Sequence, residues 1–147
     1  MTAPGPDTVT SIGGEPLEPG VDLVRIAARG LLAGTLTGVG AATLVLALVR
    51  YLLRNAPASD VPEAGAPFYV LVLGTMAAMA VGGAVAFRAL RAIRSPWRRG
   101  VFAMIAAFAT FVGALMATPV HYFLGTPGLV VFGAVAGSAG LALARRR

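Results

Sequence analysis

Long uncharged runs dominate this chain and set its elements. Gly30 to Val49 (GLLAGTLTGVGAATLVLALV) and Phe68 to Phe87 (FYVLVLGTMAAMAVGGAVAF) each hold twenty residues without a charge. At the helical rise, such a run covers about 30 Å, the thickness of a bilayer's hydrocarbon core. A third run extends uncharged for 45 residues, from Gly100 to Ala144, too long for one ordinary span and suited to two. The break is legible in Thr118-Pro119 and Gly125-Thr126-Pro127-Gly128. Pro119 disfavours helix at Thr118, and Thr126 is placed to cap a helix that takes Pro127 at its first position. The pattern predicts an all-α integral membrane bundle of four transmembrane helices, with spans at 30–49, 68–87, 100–118 and 127–144.

The flanks of these runs divide the chain into a tail and a membrane domain. Residues 1–24 are rich in Pro, Gly and Thr, and their only charges are the acids Asp7, Glu15, Glu18 and Asp22. So little apolar surface predicts a flexible N-terminal tail, followed by a four-span domain over 25–147. The tail lacks the basic leader and immediate apolar core of a secretory signal. Pro57, Pro62 and Pro67 break the first loop. In the second, Arg88, Arg91 and Arg94 recur every three residues, which places them near one face if the second helix continues, until Pro96 stops it.

Arginine positions orient the bundle. Arg25, Arg29, the loop residues Arg88, Arg91, Arg94, Arg98 and Arg99, and Arg145 to Arg147 fall on one side of a four-span chain. Only Arg50 and Arg54 fall on the other, so ten of twelve share a side and the positive-inside rule assigns both termini to the cytoplasm. Tyr51, Tyr69 and Tyr122 lie at the opposite ends of the spans, the depth favoured by interfacial aromatics.

Composition sharpens this reading. The chain of 147 residues is 57% hydrophobic and 12% charged, about half the usual charged share. Beside such spans, the net charge of +6 points to topology and anionic lipid rather than to nucleic acid. Cysteine is absent, which excludes disulfides, thiolate metal sites and cysteine nucleophiles. All basic residues are arginine, which together with much Ala, Gly and Val reads as GC-rich bacterial coding. The expected location is a bacterial inner (cytoplasmic) membrane, crossed several times.

The sharpest motif is a set of small residues spaced four apart. Gly30, Gly34, Gly38 and Ala42 form one row on the first span, and Gly74, Ala78, Gly82 and Ala86 repeat it on the second. The fourth span has Gly133 and Gly137, with Ala136, Gly140 and Ala144 on an adjacent row. Small residues at this spacing let helix backbones approach closely where lipid offers no hydrophobic drive for association. Packing within the subunit is their first use. The rows outnumber the faces that four helices can turn to one another, so one is expected to face outward and dock a further subunit.

Candidate chemistry is sparse. His121 is the only histidine, in Pro119-Val-His-Tyr-Phe123, and a lone imidazole without a carboxylate partner or second histidine reads as part of an aromatic belt. Tyr51, Tyr69, His121 and Tyr122 are the candidate outer-face ligand contacts. Met76, Met79, Met104 and Met116 read as core filling. No Asp, Glu, Lys or Arg falls within a predicted span, whereas coupled transporters and hydrolases need such groups. Ser and Thr in the spans are expected to bond their own helix backbone or a neighbouring helix rather than act as nucleophiles. The expectation is therefore no enzyme, no catalytic residue, no metal and no cofactor.

What remains is a non-catalytic membrane protein, an accessory or scaffold subunit packed by small-residue (GxxxG) helix faces within a larger membrane complex. Its expected partners are membrane lipids and either other membrane subunits or further copies of itself. The alternative is an oligomeric channel or uncoupled small-solute transporter, with Gly and Thr faces lining a pore between protomers.

Overall fold

A computed structural model describes residues 19–55 and 65–145; the expected features of residues 1–18, the first loop at 56–64 and Arg146-Arg147 lie outside them. Helix α1 runs Pro19–Asn55 and α2 runs Gly65–Ala89. A fifty-residue helical run, Pro96–Arg145, follows. It comprises two stretches of membrane-crossing length, Pro96–Ala117 (α3) and His121–Arg145 (α4). All four helices are long and apolar enough to cross a membrane.

Besides continuing through Pro119, past the expected break after Thr118, the helices depart from the expected boundaries in three places. Residues 19–24 belong to α1 rather than to the tail: Pro19 suits a first helical position, and Asp22 lies in the first turn, where the helix dipole favours an acid. The helix is then about 55 Å long, well beyond one hydrocarbon thickness. Second, α2 ends at Ala89, so Arg91 and Arg94 sit in a turn and do not share a helical face with Arg88. Leu90 and Ile93 are buried in that turn while Arg91 and Arg94 are exposed, so two apolar anchors tuck the connection under the bundle. Third, Pro96 starts α3 instead of merely stopping α2. Ser95 accepts a hydrogen bond from the Arg98 N–H at 3.5 Å, a Ser N-cap followed by Pro at the first position.

Contact register fixes the topology. Along α1, Gly30 meets Leu90, Gly34 meets Gly82 and Ala86, and Val45 meets Gly74, so α2 runs antiparallel to α1. Gly38 meets Thr110 while Ala47 clusters with Ala117, so α3 runs parallel to α1. Thr37 meets Gly140 and Thr43 meets Gly133, so α4 is again antiparallel. The four helices therefore alternate in direction, and the last reversal falls between Ala117 and Leu129, which share a small buried cluster with Ala47. Within that reversal Gly125 adopts φ 66° and ψ −171°, a conformation open essentially to glycine alone.

Helix α1 is the hub. Its apolar window is 50% buried inside the bundle, against 17–22% for the other three helices. Nine of the fourteen buried hydrophobic residues among those described are alanine. With so few large side chains between them, the helices are held by close backbone approach and dispersion.

Candidate functional site

The interior is built from threonines set into glycine notches. Thr110 of α3 is fully buried between Gly38 of α1 and Gly82 of α2. Thr43 of α1 lies against Gly133 of α4, where a Cβ on that glycine would stand 2.6 Å from the hydroxyl oxygen. Thr37 of α1 lies against Gly140 of α4, about two helical turns away. Each hydroxyl donates to a carbonyl of its own helix: Thr37 to Ala33 at 2.8 Å, Thr43 to Gly40 at 2.9 Å and Thr110 to Ala106 at 2.9 Å. These bonds satisfy the buried hydroxyls within their own helices, and the same oxygens are the threonine atoms set nearest the glycines of the neighbouring helices. Thr75 and Ser138 likewise bond Leu71 and Val135, so the backbone-bonding role expected of these hydroxyls is the one they have.

Two faces of α1 carry this packing, where the sequence rows implied one. Gly30, Gly34 and Gly38 face α2 and α3, while Ala33, Thr37, Gly40 and Thr43 face α4. Gly74 sits on Val45, Ala78 is buried, and Gly133 and Gly137 both lie beside Gly40. Ala42 is buried too and forms part of a cavity wall. These glycines of the rows on α1, α2 and α4 therefore turn inward. A different row, Ala134, Ser138 and Ala142, lies exposed on α4, with Val131 and Val135 beside it.

The outer-face candidates spread along one end of the bundle. Tyr51 lies near the end of α1 and Tyr69 near the start of α2, while His121 and Tyr122 lie just before the kink at Gly125. The tyrosines are exposed, Tyr122 to 86%, and their ring contacts are with sequence neighbours: Phe68 with Tyr69 and Tyr122 with Phe123, both edge to face. His121 is half-buried, and its Nδ1 is buried without a hydrogen-bond partner. This end also carries a cavity of about 300 Å³ that the sequence patterns did not reveal. Leu71, Thr75, Met76 and Met79 of α2 face Phe111 and Leu115 of α3 across a floor of Ala42 and Leu46. Its signal in the sequence is faint: small Ala42 and Thr75 opposite bulky residues on neighbouring spans.

Methionine placement corrects the core-filling expectation. Met76, Met104 and Met116 are exposed on the bundle surface, Met104 to 74%, and only Met79 is half-buried. Alanine has taken the core positions, because the helices approach too closely for a longer side chain.

Charge collects at the opposite end. Arg29 donates from Nε to the Leu143 carbonyl at 3.1 Å, tying the start of the apolar part of α1 to the last turn of α4. Arg99 lies 5.0 Å from the ring centroid of Phe87, a cation–π distance, with its Nε buried and not hydrogen-bonded. Arg94 and Arg98 are exposed. Arg88 and Arg91 join Arg145 around a cavity of about 700 Å³ between the ends of α2 and α4, walled by Val85, Ala89, Leu141 and Ala144. Neither a family model, nor a curated protein, nor a solved structure matches the chain.

Proposed function

We propose that this protein is a non-catalytic, multi-pass membrane subunit that acts as an accessory or scaffold within a larger membrane assembly, with its arginine-rich end in the cytoplasm. The observation that carries this reading is the exposed row Ala134, Ser138 and Ala142 on α4. The inward rows are already occupied by neighbouring helices, yet this one repeats the same four-residue spacing on an open face. Such a surface lets another helix approach closely in lipid. The interior supports the reading as well, since its buried threonines spend their hydroxyls on their own helices. Purification of the full chain in a mild detergent tests the role. Another membrane protein should co-purify in fixed proportion, and a lone monomer would count against the proposal.

The channel alternative needs a lining other than the one its residues suggested. Gly34 and Gly38 are enclosed within one subunit by Gly82, Ala86 and Thr110, so bulky residues there would disrupt the bundle before they reached a pore between protomers. Reconstitution with solute-flux measurement separates this reading from the accessory role.

A further inference from the structure

The cavity between the ends of α2 and α4 combines three features. Its rim carries three guanidinium groups, Arg88, Arg91 and Arg145, all permanently charged. Its walls, Val85, Ala89, Leu141 and Ala144, are apolar and belong to the last membrane-facing turns of the two helices. Its volume of about 700 Å³ is ample for a phosphate with its attached glycerol.

Depth and charge balance narrow the ligand. Arg88 directly follows the uncharged run ending at Phe87, and Arg145 directly follows the one ending at Ala144. Both therefore stand where hydrocarbon gives way to head groups. Asp22 is the only acidic residue among those described, and it does not line the cavity, so no carboxylate among the described residues offsets the three cations there. The carbonyl ends of α2 and α4 offer partial negative charge nearby, which accounts for one arginine at each terminus. Arg91 lies beyond the end of α2 and is not accounted for in this way.

We propose that this cavity binds the phosphate-bearing headgroup of an anionic membrane lipid, with the arginines on the phosphate and the apolar walls against the glycerol and first acyl carbons. Basic pockets between helices at a membrane's cytoplasmic face recognise such head groups by the same chemistry. The inference rests on the membrane-spanning reading but not on the accessory role.

Thermal unfolding of the full chain in phosphatidylcholine nanodiscs, titrated with phosphatidylglycerol, tests it. The melting temperature should rise saturably with the anionic lipid. At about a factor of five for each arginine, R145Q should weaken the apparent affinity about fivefold and R88Q/R91Q/R145Q about a hundredfold. The variant R94Q/R98Q, outside the cavity, should respond as the native chain does. If the arginines only neutralise helix ends, the triple variant will be destabilised equally with and without phosphatidylglycerol, and the proposal fails. It also fails if R94Q/R98Q loses as much affinity as the triple variant, which would mean diffuse attraction. Inorganic phosphate, added alone at matched concentration, should not reproduce the shift; if it does, the source is free phosphate rather than lipid. Failure of the chain to enter nanodiscs would overturn the membrane reading itself, a result distinct from an inserted protein indifferent to phosphatidylglycerol.

Discussion

Thr110 occupies the notch that Gly38 leaves on the central helix. A Cβ added at Gly38 would lie 2.7 Å from Thr110 Cγ2 and 3.0 Å from its Cβ, while Gly82 bounds the same threonine from the second helix. Three helices thus meet at one side chain, and two glycines make room for it. The arrangement recurs with Thr43 and Gly133 and with Thr37 and Gly140, so most of the interior uses one device.

Glycine substitutions on α1 should therefore divide by what they strike. Gly38→Ala meets a side chain and should destabilise by about 1–3 kcal/mol, the usual range for overpacking, with Thr110→Ala restoring part of the loss. Gly34→Ala meets the Gly82 carbonyl oxygen at 2.5 Å, and Gly40→Ala meets the Gly137 nitrogen at 2.5 Å. Backbone cannot be trimmed, so no side-chain truncation should rescue either. Gly100→Ala meets nothing within 4 Å and should stabilise α3 by about 0.5–1 kcal/mol through helix propensity. Equilibrium unfolding in mixed micelles with rising denaturing-detergent fraction measures all four.

Gly125 is the one described residue with positive φ. Its nearest obstacle to a Cβ is Pro127 Cδ at 3.7 Å, so space is available and only the backbone forbids a side chain. Gly125→Ala should cost about 1–3 kcal/mol from the strained conformation alone. In the same assay, an unchanged midpoint would show that the reversal between α3 and α4 tolerates another backbone path.

Much of the architecture was legible because lipid and charge impose simple rules. Uncharged runs of bilayer length located four helices, and Gly125 and Pro127 marked the reversal, whereas Pro119 lies inside the helical run. Terminal turns were less legible, since residues 19–24 read as tail and Pro96 read as a stop rather than a start. Side-chain partners were the least legible. Gly30, Gly34 and Gly38 are spaced alike with Ala42, but the row meets the turn after α2 at Gly30, α2 at Gly34, and both α2 and α3 at Gly38. Nothing local distinguishes those partners, because close packing depends on the neighbouring helix as much as on the row itself. The two cavities follow the same logic: Arg145 lies more than fifty residues from Arg88 in sequence, and only the antiparallel register brings them to one rim.

Arg29 offers a separate test of how α1 and α4 are joined. Its guanidinium donates to a carbonyl in the last turn of α4, where unpaired carbonyls and the helix dipole both favour a cation. Arg29→Gln should cost about 1–3 kcal/mol, the range for a hydrogen bond to a charged group. Arg25→Gln, at an exposed position, should cost less than about 0.5 kcal/mol. Equal losses at both positions would mean that net charge rather than the Leu143 contact carries the effect.

Orientation can be read with reporters. Ser95 caps α3 in the arginine-rich turn, and the end of α4 lies at the same end of the bundle through the Arg29 contact. A cytoplasm-active reporter inserted at Ser95 or fused after Arg147 should be active, and one fused after Asn55 should not. Activity of the Asn55 fusion with silence of the other two would invert the proposed topology.

Docking and folding should separate on α4, because its two faces do different things. Gly133 and Gly140 meet Thr43 and Thr37 inside the bundle, whereas Ser138 is exposed and bonds only its own helix at Val135. Gly140→Leu would strike the Thr37 backbone nitrogen, 2.6 Å from a Cβ, and should abolish the folded bundle. Ser138→Leu adds volume on an open face and should change stability by less than about 0.5 kcal/mol. If the outer row docks another helix, Ser138→Leu should still strip the co-purifying partner, since a large side chain keeps the backbones apart. Co-purification unchanged in Ser138→Leu and in an Ala134→Leu/Ala142→Leu variant, with both folded, would remove this face from the assembly.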